Sequence, residues 1–216
     1  MGDTSRHTVT PAYERWALGI LGILALCRLL YLAFVPLELV GDESYYWMWG
    51  QNLDWGYLSK PPLIGWLMAL GSWIGQGSAW GIRALAVLLG TGSLLFTYLL
   101  ARETFGTRAA WLCLLAVALS PANAVLNLLL TIDAPLVFFW SAALYCFWKA
   151  VHSEGDSRRG WAIALLLVLG FGFLAKQMML VFLVFGLIFL LTDAEKRRGV
   201  QLLRHGRRLR LRQGQR

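Results

Sequence analysis

The side chains best suited to chemistry lie between residues 41 and 62, in the stretch GDESYYWMWGQNLDWGYLSKPP. Three Trp, three Tyr and one Lys accompany the acidic residues there. Asp42 and Glu43 are carboxylates that can take a proton from a hydroxyl group. Neighbouring helical residues point about 100° apart, so these two cannot form a paired-carboxylate site unaided. The alternative role for Asp42 is a helix N-cap, whose side chain accepts a backbone N–H.

Lys60 is the only Lys or Arg between residues 29 and 82. It stands beside Tyr57 and Ser59 and directly before two prolines that can open a helix. Helix N-termini favour anions, and a lysine there adds a compact positive charge. A phosphate group is the natural ligand. The equal alternative is a lysine that extends to lipid headgroups.

Two further charged residues interrupt apolar sequence. Asp133 lies at a break between two apolar runs, where it is either a site carboxylate or the N-cap of a helix starting at Ala134. Lys176 lies within the apolar run 161–191. A lysine inside such a run is costly unless it faces water or an anion, and the alternative is a lysine at the tip of a helical hairpin.

The composition predicts a polytopic helical membrane protein. Of the 216 residues 58% are hydrophobic and only 15% are charged, and the mean hydropathy is +0.57. The net charge of +8 does not indicate a nucleic-acid partner, because Lys and Arg collect in the cytoplasmic loops of membrane proteins. Membrane lipid is the expected surrounding partner.

The apolar runs predict an all-α fold with about six transmembrane helices. The runs are 16–36, 81–101, 109–130 with a break at Ser120–Pro121, 134–150, and 161–191 as a hairpin that turns near Lys176. Two interfacial helices are expected in the loop 37–80. Arg28, inside the first run, is expected either to extend to the membrane surface or to pack between helices, rather than to bind substrate.

The basic loops set the predicted orientation, because Lys and Arg favour the cytoplasmic side. Residues 1–15 form a cytoplasmic N-terminus, 16–192 the membrane domain and 193–216 a basic cytoplasmic tail. The outer loop 37–80 then faces the periplasm of a bacterial inner membrane. No cleavable signal peptide is expected, since the first run is long enough to stay as an anchor.

Four short motifs occur in the order of a known family. They are GDESYYW at 41–47, GYLSKPPL at 56–63, TIDAPL at 131–136 and GFLAK at 172–176. The chain resembles the ArnT-like, protein-mannosyltransferase-related glycosyltransferases of the GT-C fold over about residues 12–192. The first two motifs together are fairly specific to that family.

The resemblance implies sugar transfer from a polyprenyl-phosphate donor to a lipid, glycan or protein acceptor at the outer membrane face. It implies that Asp42 is the catalytic base, with Glu43 and Asp133 as further acidic site residues. Tyr57, Lys60 and Lys176 are then the residues that bind the donor phosphate. No cofactor and no metal ligand are expected, although a divalent metal stays possible.

Two features depart from the family pattern. The aminoarabinose-transferring members are expected to have Glu before the motif lysine, where this chain has Ser59, so that sugar and a metal site using that Glu are disfavoured. The chain is also shorter than expected for the family, so a truncated, non-catalytic fragment or accessory protein is the main alternative. A small transporter is a weaker alternative, because the polar residues gather in an outer loop rather than at the bilayer midplane.

Overall fold

The part of the chain that the structure describes consists of helices and connecting loops, without a strand. The structure is a computed structural model that describes residues 11–35 and 37–192. Eight helices precede residue 176: α1 Pro11–Phe34, α2 Gly41–Gln51, α3 Leu63–Ile74, α4 Ala79–Phe105, α5 Thr107–Ala118, α6 Pro121–Leu126, α7 Asp133–His152 and α8 Gly155–Ala175. A ninth, α9, covers Met179–Thr192. The predicted all-α membrane fold is confirmed.

Four helices are long and apolar enough to cross a membrane, namely α1 from Tyr13, α4, α7 and α8. The predicted count of six is not confirmed, because α5 and α9 are apolar but shorter. The predicted break at Ser120–Pro121 is present, and Ser120 Oγ accepts the N–H of Asn123 at 3.2 Å as the cap of α6. The last apolar run also divides at Lys176, as predicted.

The chain divides after Gln177 into two compact units, and the second is described only from 178 to 192, where it consists of α9. In the first unit, α4 packs on α1, α3, α5 and α7, while α7 packs on α8. One core cluster joins α1, α4 and α5 around Leu21, Leu94 and Leu114. A second joins α2, α3, α4 and the start of α7 around Tyr46, Met68 and Ile82.

Ion pairs and hydrogen bonds between helix termini define two ends of the first unit. Glu14 at the start of α1 pairs with Arg102 near the end of α4, and Lys149 near the end of α7 pairs with Glu103. These residues mark what we call the basic end. The end of α1, the starts of α4 and α7 and the end of α8 lie at the other end, which we call the site end because α2 and α3 pack there.

Arg28 packs between helices, which is one of its two expected roles. Its guanidinium donates to Asn127 Oδ1 at 2.7 Å and to Asn123 Oδ1 at 3.3 Å. Asn127 is fully buried and also donates to the Asn123 carbonyl at 2.6 Å. The Asn127 side chain also packs closely against α4 at Gly90, where an added Cβ would lie 1.9 Å from Asn127 Oδ1. A polar cluster therefore fixes α1, α4 and α6 to one another inside an apolar bundle.

Candidate active site

The Asp42 carboxylate is exposed at the site end. Asp42 is the second residue of α2, and the N-cap of this helix is Val40. Asp42 therefore does not have the alternative role of an N-cap. No hydrogen bond or ion pair reaches the Asp42 carboxylate from the residues that the structure describes. An exposed, unpaired carboxylate at the start of a helix can accept a proton from a bound hydroxyl group.

The Tyr46 hydroxyl is influenced by the charges of both Asp42 and Asp133. Tyr46 lies one helical turn after Asp42 and is buried in the core of the site end. Burial raises the pKa of the Tyr46 hydroxyl, and the negative charges of Asp42 and then Asp133 raise this pKa further. Both carboxylates therefore lie near the same phenol ring, although one is on α2 and the other on α7.

Asp133 is the first residue of α7 and makes no capping hydrogen bond. Its Oδ1 instead accepts a hydrogen bond from Lys176 Nζ at 2.6 Å. The antiparallel packing of α7 on α8 brings the two residues together, since one begins α7 and the other directly follows α8. The Lys176 side chain is 27% exposed and that of Asp133 is 46% exposed, so the ion pair is open to solvent or ligand.

Glu43 points into the protein while Asp42 points out. It is fully buried, and its Oε2 accepts from Arg83 at 2.7 Å. Its carboxylate also accepts the backbone N–H groups of Val40 at 3.3 Å and of Leu130 at 3.0 Å. The predicted catalytic role of Glu43 stays a prediction, because these contacts are those of a residue that holds α2 in place.

Tyr57 and Lys60 lie in the loop between α2 and α3. The Tyr57 ring stacks on Trp49 of α2 with centroids 4.6 Å apart, and its hydroxyl donates to the Trp49 carbonyl at 3.0 Å. The backbone of Tyr57 and that of Lys60 exchange two hydrogen bonds, of 3.1 and 3.4 Å. The Lys60 side chain is partly exposed, with no hydrogen bond or ion pair to another described residue.

The structure therefore brings the six predicted site residues to two neighbouring places, four of them to the first and two to the second. Asp42 and the Asp133–Lys176 pair lie around Tyr46, and Glu43 lies buried beneath them. Tyr57 and Lys60 lie on the folded loop beside α2, and no direct contact joins the Lys60 ammonium to the carboxylates among the described residues. Whether all six act in one reaction stays a prediction.

Sequence reasoning missed Arg83, which is 2% exposed near the start of α4. The signal was available, because Arg83 lies inside the predicted apolar run 81–101, where an arginine needs a partner for its charge. It also missed Asn123 and Asn127 as the partners of Arg28. Within 11–35 and 37–192, no three His, Cys, Asp or Glu side chains come together as metal ligands.

These features define a helical membrane protein with acidic and basic residues at one end of the bundle. Residues 59–205 match the family described as dolichyl-phosphate-mannose-protein mannosyltransferase. The chain belongs to this family, whose members include GT-C membrane glycosyltransferases, as the sequence motifs predicted.

The similar proteins of known name include sugar transferases. The chain is 33% identical over 173 residues to the lipid A galacturonosyltransferase RgtD of Rhizobium johnstonii, covering 75% of this chain and 34% of that protein. It is 30% identical over 174 residues to the undecaprenyl phosphate-alpha-4-amino-4-deoxy-L-arabinose arabinosyl transferase of Pseudomonas aeruginosa strain LESB58, covering 69% and 32%.

The fold is similar to that of ArnT from Cupriavidus metallidurans. The structure bound to undecaprenyl phosphate superposes with a TM-score of 0.66 at 26% identity, over 79% of this chain and 35% of that one. The apo structure gives 0.65, over 82% and 36%. The chain thus spans about a third of the length of these relatives.

Proposed function

We propose that this protein acts in the transfer of a sugar from a polyprenyl-phosphate donor to an acceptor hydroxyl group on a lipid, glycan or protein. The observation that carries the proposal is the exposed, unpaired Asp42 at the same end of the bundle as the Asp133–Lys176 pair, in a chain of this family. The similar ArnT structure that holds undecaprenyl phosphate supports the donor class.

Asp42 takes the proton of the acceptor hydroxyl in this proposal. The acceptor oxygen then forms a bond to the anomeric carbon of the sugar. The bond between that carbon and the phosphate oxygen breaks, and the polyprenyl phosphate leaves with the bonding electrons. Lys60 and Lys176 stabilise the negative charge that grows on the leaving phosphate, since a positive charge placed where charge develops lowers the barrier.

The protein is an integral membrane protein, and we infer that it resides in a bacterial inner membrane with the site end facing the periplasm. The support is the charge distribution. The helix ends at the basic end contain Arg102, Arg108, Lys149, Arg158 and Arg159, whereas the segment between α1 and α4 contains Lys60 as its one Lys or Arg.

The direct test is Asp42→Asn in purified protein, with a synthetic polyprenyl-phosphate sugar and a panel of hydroxyl acceptors. The amide keeps the size of the side chain but cannot take the proton, so turnover is abolished while donor binding stays unchanged. Asp54→Asn is the matched control, because Asp54 is an exposed carboxylate of the same loop that accepts only the N–H of Trp55.

Normal turnover by Asp42→Asn would remove Asp42 as the base and move the search to Glu43 or Asp133. Donor binding by the unchanged protein without transfer to any acceptor would instead favour a donor-binding or accessory role.

A further inference from the structure

Arg83 holds the start of α2 in place from inside the protein. Its Nη1 donates to the Leu37 carbonyl at 3.0 Å, and its Nη2 donates to the Glu38 carbonyl at 2.9 Å. The same guanidinium donates from Nε and Nη2 to the Glu43 carboxylate, at distances from 2.7 to 3.2 Å. A planar guanidinium with five donors suits this combination, which a lysine cannot reproduce.

Glu43 also contacts the segment that leads to Asp133. Its Oε1 accepts the backbone N–H of Leu130 at 3.0 Å, three residues before Asp133. One buried ion pair therefore contacts the segment that enters α2 and the segment that enters α7. Asp42 directly precedes Glu43, so the side chain that faces out and the side chain that is fixed inside share one turn of helix.

We infer that the Glu43–Arg83 pair is a positioning device, which sets the location of Asp42 relative to Asp133 and Lys176. This inference rests on the proposed function for its catalytic consequence, but its structural part stands apart from any activity. The charges of the pair are buried at 0% and 2% exposure, so the pair acts through the backbone segments that it holds.

Distances between spin labels test the structural part without an assay of sugar transfer. The labels are placed by Met48→Cys on α2 and Val137→Cys on α7, both exposed positions, after Cys27, Cys113 and Cys146 are replaced by Ala. A second pair, Leu112→Cys on α5 and Ile163→Cys on α8, serves as the control because both positions are exposed and lie outside the contacts of Arg83.

Arg83→Gln broadens the α2–α7 distance distribution and leaves the α5–α8 distribution unchanged, and Arg83→Lys gives an intermediate width. The double variant Glu43→Gln/Arg83→Gln removes both charges and leaves neither buried without a partner. The distances in this variant therefore test the inference if Arg83→Gln alone does not fold. A narrow α2–α7 distribution in the double variant would overturn the inference. Equal broadening of both pairs would overturn it too, because the ion pair would then be a general fold contact.

Kinetics test the catalytic part. In Arg83→Lys, kcat for sugar transfer falls by about tenfold to a hundredfold while the donor KM changes less than about twofold, since a small misplacement of the base affects the chemical step. A donor KM that rises in proportion, with kcat unchanged, would contradict positioning of the base. If the label distances respond and the unchanged protein transfers no sugar, the proposed function fails and the positioning role stands.

Discussion

At the scale of single residues, Lys176 raises the question of how a paired lysine can also bind a phosphate. Its ammonium lies 2.6 Å from Asp133 Oδ1, and both side chains are partly exposed. Exposed ion pairs contribute roughly 0–1 kcal/mol, because water screens the two charges. Lys176 can therefore leave the Asp133 carboxylate and bind a donor phosphate at a small cost in free energy. Until a donor binds, the ion pair keeps the Lys176 side chain oriented.

Lys60 differs from Lys176 because no other described residue pairs with it. Lys60→Ala is expected to weaken the binding of a polyprenyl phosphate, and Lys60→Arg to keep part of it, since charge survives while geometry changes. The affinity should also fall with added salt if the headgroup stays partly solvated. The measurement is lipid binding to purified protein in detergent.

Arg108→Ala is the control for Lys60→Ala, because it removes one exposed positive charge from the first turn of α5, at the basic end. Equal affinities of Lys60→Ala and the unchanged protein would mean that Lys60 only reaches toward lipid headgroups. Equal losses in Lys60→Ala and Arg108→Ala would mean that net charge alone attracts the lipid.

Tyr57 illustrates how a motif residue can serve the fold as well as a ligand. Its hydroxyl donates to the Trp49 carbonyl, and its ring fills the space above Gly65, where an added Cβ would lie 2.4 Å from the hydroxyl oxygen. These contacts fold the loop that carries Lys60 back onto α2. The predicted phosphate contact of Tyr57 stays a prediction, and the structure supplies a separate reason for an aromatic hydroxyl at this position.

At the scale of helices, the approach of Asn127 to α4 gives a stability prediction. Gly90→Ala places a methyl group where Asn127 Oδ1 now lies, and Asn127 is fixed by Arg28 and Asn123. Overpacking of this kind costs about 1–3 kcal/mol, so the midpoint of thermal unfolding in detergent should fall. Gly22→Ala on α1 is the control, because no atom lies within 4 Å of its added Cβ.

Asn127→Ala in the Gly90→Ala background removes the clash and should recover part of the lost stability. The recovery is partial, because Arg28 then loses its 2.7 Å partner inside the bundle. A Gly90→Ala variant as stable as Gly22→Ala would show that Asn127 moves aside freely, and that the polar cluster does not fix α4 to α6.

The elements themselves were readable from the sequence to different degrees. The two helices expected in the loop 37–80 are present as α2, which begins at Gly41, and α3, which lies between Pro62 and Gly75, because Pro and Gly residues bound them. The start of α8 at Gly155 was placed too late, at 161, because hydropathy does not register a polar first turn that is nevertheless helical.

Contacts between residues far apart in the sequence could not be predicted from the sequence. The pairs Glu43–Arg83 and Asp133–Lys176 join residues 40 and 43 positions apart, and Arg28 reaches Asn127 99 positions away. Hydrophobic periodicity gives the face of a helix but not the neighbour that it meets. The sequence therefore indicated which residues were chemically unusual, whereas the structure shows which of them are bound to each other.

At the scale of the whole molecule, charge separates the two ends of the first unit. The basic end contains the ionic contacts Glu14–Arg102 and Glu103–Lys149, and Lys149 also lies 5.8 Å from the centre of the Trp161 ring. These contacts join α1, α4, α7 and α8, which are the four helices long enough to span. The site end has charges in α2, in the loop after it, in Arg83 of α4 and in the Asp133–Lys176 pair.

The last prediction concerns how the chain crosses the membrane. A reporter that is active only outside the cytoplasm should be active when fused after Trp55 and silent when fused after Asp156, because basic loops stay in the cytoplasm. Fusion after Arg216 should also be silent if the chain turns back at Lys176. An active fusion there would mean that the apolar run 161–191 crosses once. Activity after Asp156 together with silence after Trp55 would reverse the orientation and place the site end in the cytoplasm, which would contradict sugar transfer at the outer face.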